Sequence, residues 1–327
     1  KLTGVRAYAR DDYYVTVGAG TRLSELEETL AADNMWLPLV SPWPEATVGG
    51  IVAANFNAPL RMRYGSARDL LLVAKTVLPD GRVIRAGRPV VKNVAGYDLP
   101  KLLAGSRGTL GLITEITLKI APRPRAQVGL VVPVDNLAHG LSWGSALLKI
   151  CLVASGLVLT PAGNLPGVSA PLALVYTAEG LPEDVAAEME EVRAALSHLG
   201  APAPLPAQIS ATQLWADILA ATAPAETLLH AGVAPGKLPD FVTGLAANAI
   251  AAPFVADLAN GMVYLRGAET APVQRAARAL GGYATVLRAP APPADVWGHA
   301  PDGLDLMRAI KQHWDPHNIL APGGFIL

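Results

Sequence analysis

Gly105-Ser106-Arg107-Gly108-Thr109-Leu110-Gly111, followed at once by Leu112-Ile113-Thr114-Glu115, is the stretch on which the reading of this chain turns. It holds three glycines in seven residues, immediately before the β-branched alternation of residues 112–120. That alternation predicts a strand, and Pro122-Arg123-Pro124 ends it and marks a domain boundary. A plain hairpin does not require such a density of glycine. Two readings stay open here, a backbone cradle for a ligand and a tight turn.

Working upstream, Thr47-Val48-Gly49-Gly50 is a second glycine loop. It can bring bare backbone N–H groups and a hydroxyl against an anion or a polyol, or it can simply turn the chain. Tyr14 to Val17 read as a strand leading to Gly18-Ala19-Gly20. Leu23, Leu26 and Leu30 then recur at helical spacing, with Thr21 as the expected cap. Residues 70–78 and 82–86 predict a hairpin about Pro79-Asp80-Gly81. Downstream, residues 150–160 and 172–177 look like strands, and Pro182 opens a helix lined by Val185, Met189, Val192 and Leu196. Residues 201–206 read as a linker. Residues 227–288 then follow the order strand, helix, strand, strand, helix, strand, which suggests a ferredoxin-like split sheet. The expected fold class is α+β.

At 327 residues the chain is long enough for two buried cores. Apolar residues make up 51% against 16% charged, with mean hydropathy +0.33, a surplus that asks for covered apolar surface. The longest uncharged run, residues 150–178, is broken by Gly156, Pro161, Gly163, Pro166, Gly167 and Pro171, so no transmembrane segment is expected. The net charge of −1 predicts neither nucleic acid nor an anionic membrane as partner. It conceals 17 basic against 11 acidic residues over 1–126, and 9 against 16 over 127–327. The positive first part suits an anionic cofactor or an acidic partner. Cys151, the single cysteine, permits no internal disulfide and no Cys-ligated cluster held by this chain alone, and it points to an intracellular compartment. G-x-G-x-x-G, P-loop and G-x-S-x-G motifs are absent. His313 and His317 are separated from a shared helix face by Pro316, so no metal site is expected.

Val91-Lys92-Asn93-Val94-Ala95-Gly96-Tyr97-Asp98-Leu99, the loop and strand from Gly105 to Glu115, and Pro122-Arg123-Pro124 together resemble the FAD-binding, E-type subunit of bacterial glycolate oxidase. More broadly they resemble the PCMH-type, vanillyl-alcohol-oxidase-like FAD-linked oxidases. Ala46 to Gly50, Tyr64-Gly65 and the stretch from Lys311 to Pro322 match the same family. The resemblance covers residues 10–126 by motif, the middle in layout, and the tail by motif. It implies a PCMH-type FAD-binding domain over 1–126, a ferredoxin-like cap over 127–293, and a C-terminal helix and tail over 294–327. Relatives begin with an N-terminal subdomain whose Arg-Gly-Gly-type loop does not precede Tyr13 here, so only the second subdomain is expected.

The resemblance places Thr47, Gly49 and Gly50 near the FAD pyrophosphate and ribityl chain. It also wraps Gly105, Ser106, Gly108, Thr109, Gly111 and Ile113 around the cofactor. Tyr97 and Asp98 stand either against the flavin or in packing and helix capping. No catalytic residue is assigned, because the histidine pair of the dehydrogenating relatives has no match. Arg61, Arg63 and Arg68 are candidates to hold a carboxylate, or are solvated. The function implied is oxidation of a 2-hydroxy acid, glycolate or D-lactate, to the 2-oxo acid. The partners implied are a catalytic flavin subunit and an iron–sulfur subunit, in the cytoplasm or peripherally at the inner membrane through those partners. The alternatives are a self-sufficient FAD-dependent D-2-hydroxyacid dehydrogenase and a non-catalytic scaffold that has lost FAD.

Overall fold

Alternating burial along Tyr14–Gly18, with Val15 and Val17 fully inside, makes this segment the inner strand of the first sheet. The structure is a computed structural model that describes residues 2–90, 98–163, 165, 167–247 and 252–326. The chain divides into two compact units, residues 1–123 with 300–327, and residues 124–299.

The first unit contains β1 (Val5–Ala9), β2 (Tyr14–Gly18), α1 (Leu23–Ala31), β3 (Met35–Trp36), α2 (Val48–Ala54), α3 (Arg61–Tyr64), α4 (Ala67–Leu70), β4 (Leu71–Val77), β5 (Val83–Gly87), α5 (Leu99–Leu103), β6 (Leu112–Lys119) and β7 (Ala121–Pro122). Among the described residues its main sheet runs β1-β2-β6-β4-β5, every neighbouring pair antiparallel. The expected hairpin is β4–β5, pairing Val77 with Val83. Leu26 and Leu30 of α1, Val48 and Val52 of α2, and Ile116 and Leu118 of β6 share one core. Thr21 does not cap α1. Arg22 occupies that position without a side-chain bond, while the Thr21 hydroxyl donates to the Gly18 carbonyl at 2.7 Å and accepts from the Gly4 N–H at 2.9 Å. The local competition goes to the turn, because Thr21 is buried beside it.

The second unit contains β8 (Ala126–Val134), α6 (Leu137–Leu147), β9 (Ala154–Pro161), β10 (Leu172–Gly180), α7 (Pro182–His198), β11 (Leu205–Pro206), α8 (Ala211–Ala220), β12 (Leu228–Gly232), α9 (Leu238–Ala247), β13 (Phe254–Asp257), β14 (Met262–Arg266), α10 (Thr270–Ala279) and β15 (Tyr283–Arg288). Its sheet order is β11-β8-β10-β9-β13-β14-β12-β15. The expected split βαβ arrangement is present in β12–β15, with the first strand flanked by the third and fourth. It is also present a second time. Strands β8–β11 have the same order in mirror sequence, and β9 and β13 pair where the halves meet, at Ala256–Leu159 and Asp257–Val158. The residues read as a linker at 201–206 end in the edge strand β11, which pairs with β8.

Burial along β9 and β10 is nearly continuous, as expected of strands covered on both faces. On the α7 side, Glu188 is 4% exposed and accepts three hydrogen bonds of 2.6 Å, from the Leu152 and Val153 N–H groups and the Tyr176 hydroxyl. Burial first, then that carboxylate, pushes the Tyr176 phenol far above its ordinary pKa, so it stays a donor. Glu188→Ala strips three donors of their acceptor, among them the buried Tyr176 hydroxyl. It should lower unfolding free energy by about 3 kcal/mol in a denaturant titration, whereas Glu190→Ala on the exposed face should change it little.

Candidate functional site

The last helix, α11 (Leu304–Trp314), belongs to the first unit and ends where Pro316 forbids its continuation. One turn of spacing brings Lys311 and Asp315 together at 2.5 Å, with the Asp315 side chain fully buried. The Lys311 ammonium also donates to the Thr109 carbonyl at 3.0 Å and the Leu320 carbonyl at 2.8 Å. Asp315 accepts in addition from the N–H groups of Ile319 (3.0 Å) and Leu320 (2.8 Å). Burial raises the Asp315 pKa, but the Lys311 bond and the two N–H groups outweigh it and hold the carboxyl below the ordinary carboxylate range. The second glycine loop is thus tied through Thr109 to the C-terminal segment.

That loop turns on left-handed backbone at Gly105 (φ +83°), Arg107 (φ +52°) and Gly108 (φ +77°). Gly105 donates to the Val52 carbonyl at 3.0 Å and Arg107 to Ala53 at 2.8 Å, so the loop caps the C-terminal end of α2. The Thr109 hydroxyl closes the turn onto the Ser106 carbonyl at 2.6 Å. Ser106 is 8% exposed and its Oγ, buried, has no hydrogen-bond partner. The N–H groups of Gly108, Leu110 and Gly111 donate to no described residue. Above Gly108 there is room: a Cβ there would meet nothing nearer than the Ala321 Cβ at 3.8 Å. Gly111 has a packing reason instead, since a Cβ would fall 2.3 Å from the Thr76 methyl. Ile113 points into the core.

The first loop is the N-terminus of α2, and the N–H groups expected to be bare are engaged. Val48 donates to Thr21 at 2.9 Å, Gly49 to Ala19 at 2.8 Å, and Gly50 to the Thr47 hydroxyl at 3.1 Å. Thr47 is a helix cap, and Gly49 is small because a Cβ would lie 2.6 Å from Ala19. The correction has a simple cause. A helix start buried against a neighbouring turn must satisfy its donors within the chain.

Asp98 is exposed at the start of α5 and makes no cap hydrogen bond; Tyr97 lies outside the described residues. Arg61 and Arg63 flank α3, Arg63 lying 5.7 Å from the Tyr64 ring, and exposed Arg68 reaches the Lys101 carbonyl at 3.4 Å. Among the described residues no three His, Cys, Asp or Glu side chains form a metal-binding group, and no helix is long and apolar enough to cross a membrane. His313 and His317 line a cleft with Asp80, Arg82 and Trp314. Sequence reasoning missed the Lys311–Asp315 pair as a structural unit. Its only local signal is the i, i+4 spacing before Pro316.

A mixed sheet-and-helix unit with a glycine loop and a unit of two βαββαβ motifs make up the fold. Solved structures share it: p-cresol methylhydroxylase superposes with a TM-score of 0.74 at 15% identity, over 98% of this chain and 77% of that one. Alkyldihydroxyacetonephosphate synthase gives 0.68 at 17% identity over 98% and 66%. An FAD binding domain matches residues 1–87, and the C-terminal domain of FAD linked oxidases matches residues 298–324. The glycolate oxidase subunit GlcE of Escherichia coli is 41% identical over 129 residues, 39% of this chain and 37% of that protein. A D-lactate dehydrogenase of Anaerostipes hadrus is 35% identical over 42% of this chain and 29% of that protein. The glycolate oxidase subunit GlcD of Bacillus subtilis is 28% identical over 85% and 67%. Several of these alignments thus span about a third of the relative's length. Two stretches of the chain thus match flavoprotein domains, and FAD is the cofactor that both domain descriptions name.

Replacing Lys311 by Met leaves the Asp315 carboxylate buried without its cation, and should cost about 3–5 kcal/mol by denaturant unfolding. Lys311→Met with Asp315→Leu should recover part of that loss. The depressed Asp315 pKa contributes stability that is present above its unfolded pKa and is lost as pH falls through the lower folded value. The acid limb of the wild-type stability curve should therefore flatten in the double variant.

Proposed function

We propose that the second glycine loop holds FAD and that the chain acts as the FAD-binding subunit of a 2-hydroxy-acid oxidase of the glycolate oxidase type. The observation that carries this reading is the buried, unpartnered Ser106 hydroxyl beside three free loop N–H groups and the open face of Gly108. An isolated turn has no need of a buried hydroxyl without a partner, because a polar group kept from water costs free energy. An anionic or polyol-bearing ligand answers the hydroxyl and the loop N–H groups at once. These residues fit the cofactor that the domain matches name.

Thr47, Gly49 and Gly50 stand at one end of α2, and Gly105, Ser106, Gly108 and Thr109 at the other. Seven helical residues separate the loops by about 10 Å, a span an extended dinucleotide can bridge. In this reading Ser106 and the loop N–H groups bind and orient the cofactor. Thr47 and Gly50 offer a close-approach surface rather than donors, and Gly111 and Ile113 hold β6 in register beneath the loop. Lys311 positions the loop through the Thr109 carbonyl. When bound, FAD supplies the two-electron acceptor for oxidising the hydroxyl carbon of the substrate. In this reading residues 1–123, completed by 300–327, form the FAD-binding domain, and residues 124–299 the cap.

Glycolate or D-lactate is the substrate class supported by the names of the relatives, glycolate oxidase subunits and D-lactate dehydrogenases. A subunit role agrees with the glycolate oxidase names. It also agrees with the single cysteine, since an electron-carrying iron–sulfur cluster would have to sit on a partner chain. Asp98 and residue Tyr97 belong to the proposed flavin contacts as well.

Purified protein should show flavin absorbance near one equivalent per chain. Gly108→Val, which forces a branched side chain into left-handed backbone and fills the open face, should abolish it while leaving far-ultraviolet circular dichroism unchanged. Ser106→Ala should weaken FAD retention by roughly tenfold, about 1.4 kcal/mol for one buried hydrogen bond. Colourless wild-type protein that takes up no FAD on titration would sink the proposal.

A further inference from the structure

The second unit contains a cavity of about 550 Å³ that the flavin reading does not use. Its floor is the sheet, at Val131 and Val175, and its roof is the Leu214 and Ile218 side of α8. Leu165 and Phe254 close its sides, and Arg266 and Asp217 are the ionic groups that line it. The size lies within the 300–1,000 Å³ typical of small-molecule sites, and the walls are mainly apolar as such sites require.

This space is built rather than left over from poor packing. Hydrogen bonds fix α8 at both of its ends. The Thr177 hydroxyl accepts from the Ala211 N–H at 2.8 Å at the start of the helix. At its end the Ala221 carbonyl accepts from Arg266 at 3.2 Å, and the Thr222 carbonyl from Arg288 at 2.9 Å. Between these anchors Trp215 packs edge-on against Tyr264, ring centroids 5.5 Å apart. The helix cannot settle onto Val131 and Val175 without breaking those bonds.

The charges decide what the cavity accepts. Of the Arg266 guanidinium nitrogens Nη2 is engaged, by Ala221 and by Glu226 at 3.1 Å, whereas Nε is buried without a partner and Nη1 donates to no described residue. A hydrogen-bond acceptor on the ligand is therefore favoured. Glu226 already balances the guanidinium, and Asp217 adds a further negative charge at the cavity, so an anionic head is disfavoured. We infer that this cavity binds a neutral, largely apolar small molecule carrying a carbonyl oxygen, which accepts from Arg266 while its apolar body lies between α8 and the sheet. A carboxylate substrate of the flavin site is excluded from it on the same ground. The site is thus independent of the proposed oxidation.

Calorimetric titration of the whole protein with benzophenone, diphenylmethane and 4-benzoylbenzoate tests the inference. These probes share a two-ring body and differ in the carbonyl and in charge. Benzophenone should bind saturably, one per chain, and up to about tenfold more tightly than diphenylmethane, the worth of one hydrogen bond. The benzoylbenzoate should bind more weakly than benzophenone. Ile218→Trp, placing a large ring in the cavity from a half-exposed position, should abolish benzophenone binding. If that variant does not fold, Leu165→Trp in the opposite wall serves the same purpose. Arg266→Met should erase the preference for benzophenone over diphenylmethane. Absence of saturable binding, tighter binding of the carboxylate, or full binding by the Ile218→Trp protein would overturn the inference. So would a wild-type dimer that this substitution dissociates, since the occupant would then be a second copy.

Discussion

A buried ammonium holds the first unit together. The chain leaves that unit at Arg123 and returns at residue 300, and the returning segment must be fixed without a strand in the sheet. Lys311 does this with one charge shared between the Asp315 carboxylate and the carbonyls of Thr109 and Leu320. Taking the charge out of water is costly, and only a complete set of acceptors makes it tolerable. Asp315 is itself satisfied by two tail N–H groups, so pair, glycine loop and tail form one network that stands or falls as a whole.

The two glycine loops differ in kind although they look alike in sequence. Both attach to α2, one as its first turn and one against its last carbonyls. Backbone donors at the first are taken up by Thr21, Ala19 and Thr47, and its glycine allows close packing. At the second the turn is closed by Thr109 and Ser106 carbonyl bonding, which leaves the Ser106 hydroxyl and neighbouring N–H groups without acceptors. Glycine is needed in one case for proximity within the fold and in the other for left-handed backbone beneath an open face.

The second unit is a repeated device. Each half is a βαββαβ motif with its helices α6 and α7, or α9 and α10, and the halves meet through two residue pairs of β9 and β13. The later half is legible from sequence because its strands alternate cleanly and its helices carry apolar faces. Of the earlier half, β9, β10 and α7 are legible as elements, but β8 and α6 are not, and neither is their place in a second βαββαβ motif. Helix α6 contains Gly140 and Gly144, where a Cβ would lie 2.7 Å and 2.2 Å from side-chain atoms of Leu159 and Leu258, so residues required by packing weaken the helical pattern.

By itself the sequence determined the α+β class, the β4–β5 hairpin, the later βαββαβ half and the presence of two glycine loops. Each of these is written in local spacing, apolar period or turn chemistry, and local rules suffice to read them. Tertiary structure alone decided which loop keeps free donors, that residues 300–327 rejoin the first unit, and that Lys311 reaches Thr109 across 202 positions. It also decided that α8, fixed at both ends, roofs a cavity beside the sheet. Whether a donor is satisfied, a charge paired or a helix held off its sheet depends on groups distant in the chain, and no local pattern records where folding will bring them.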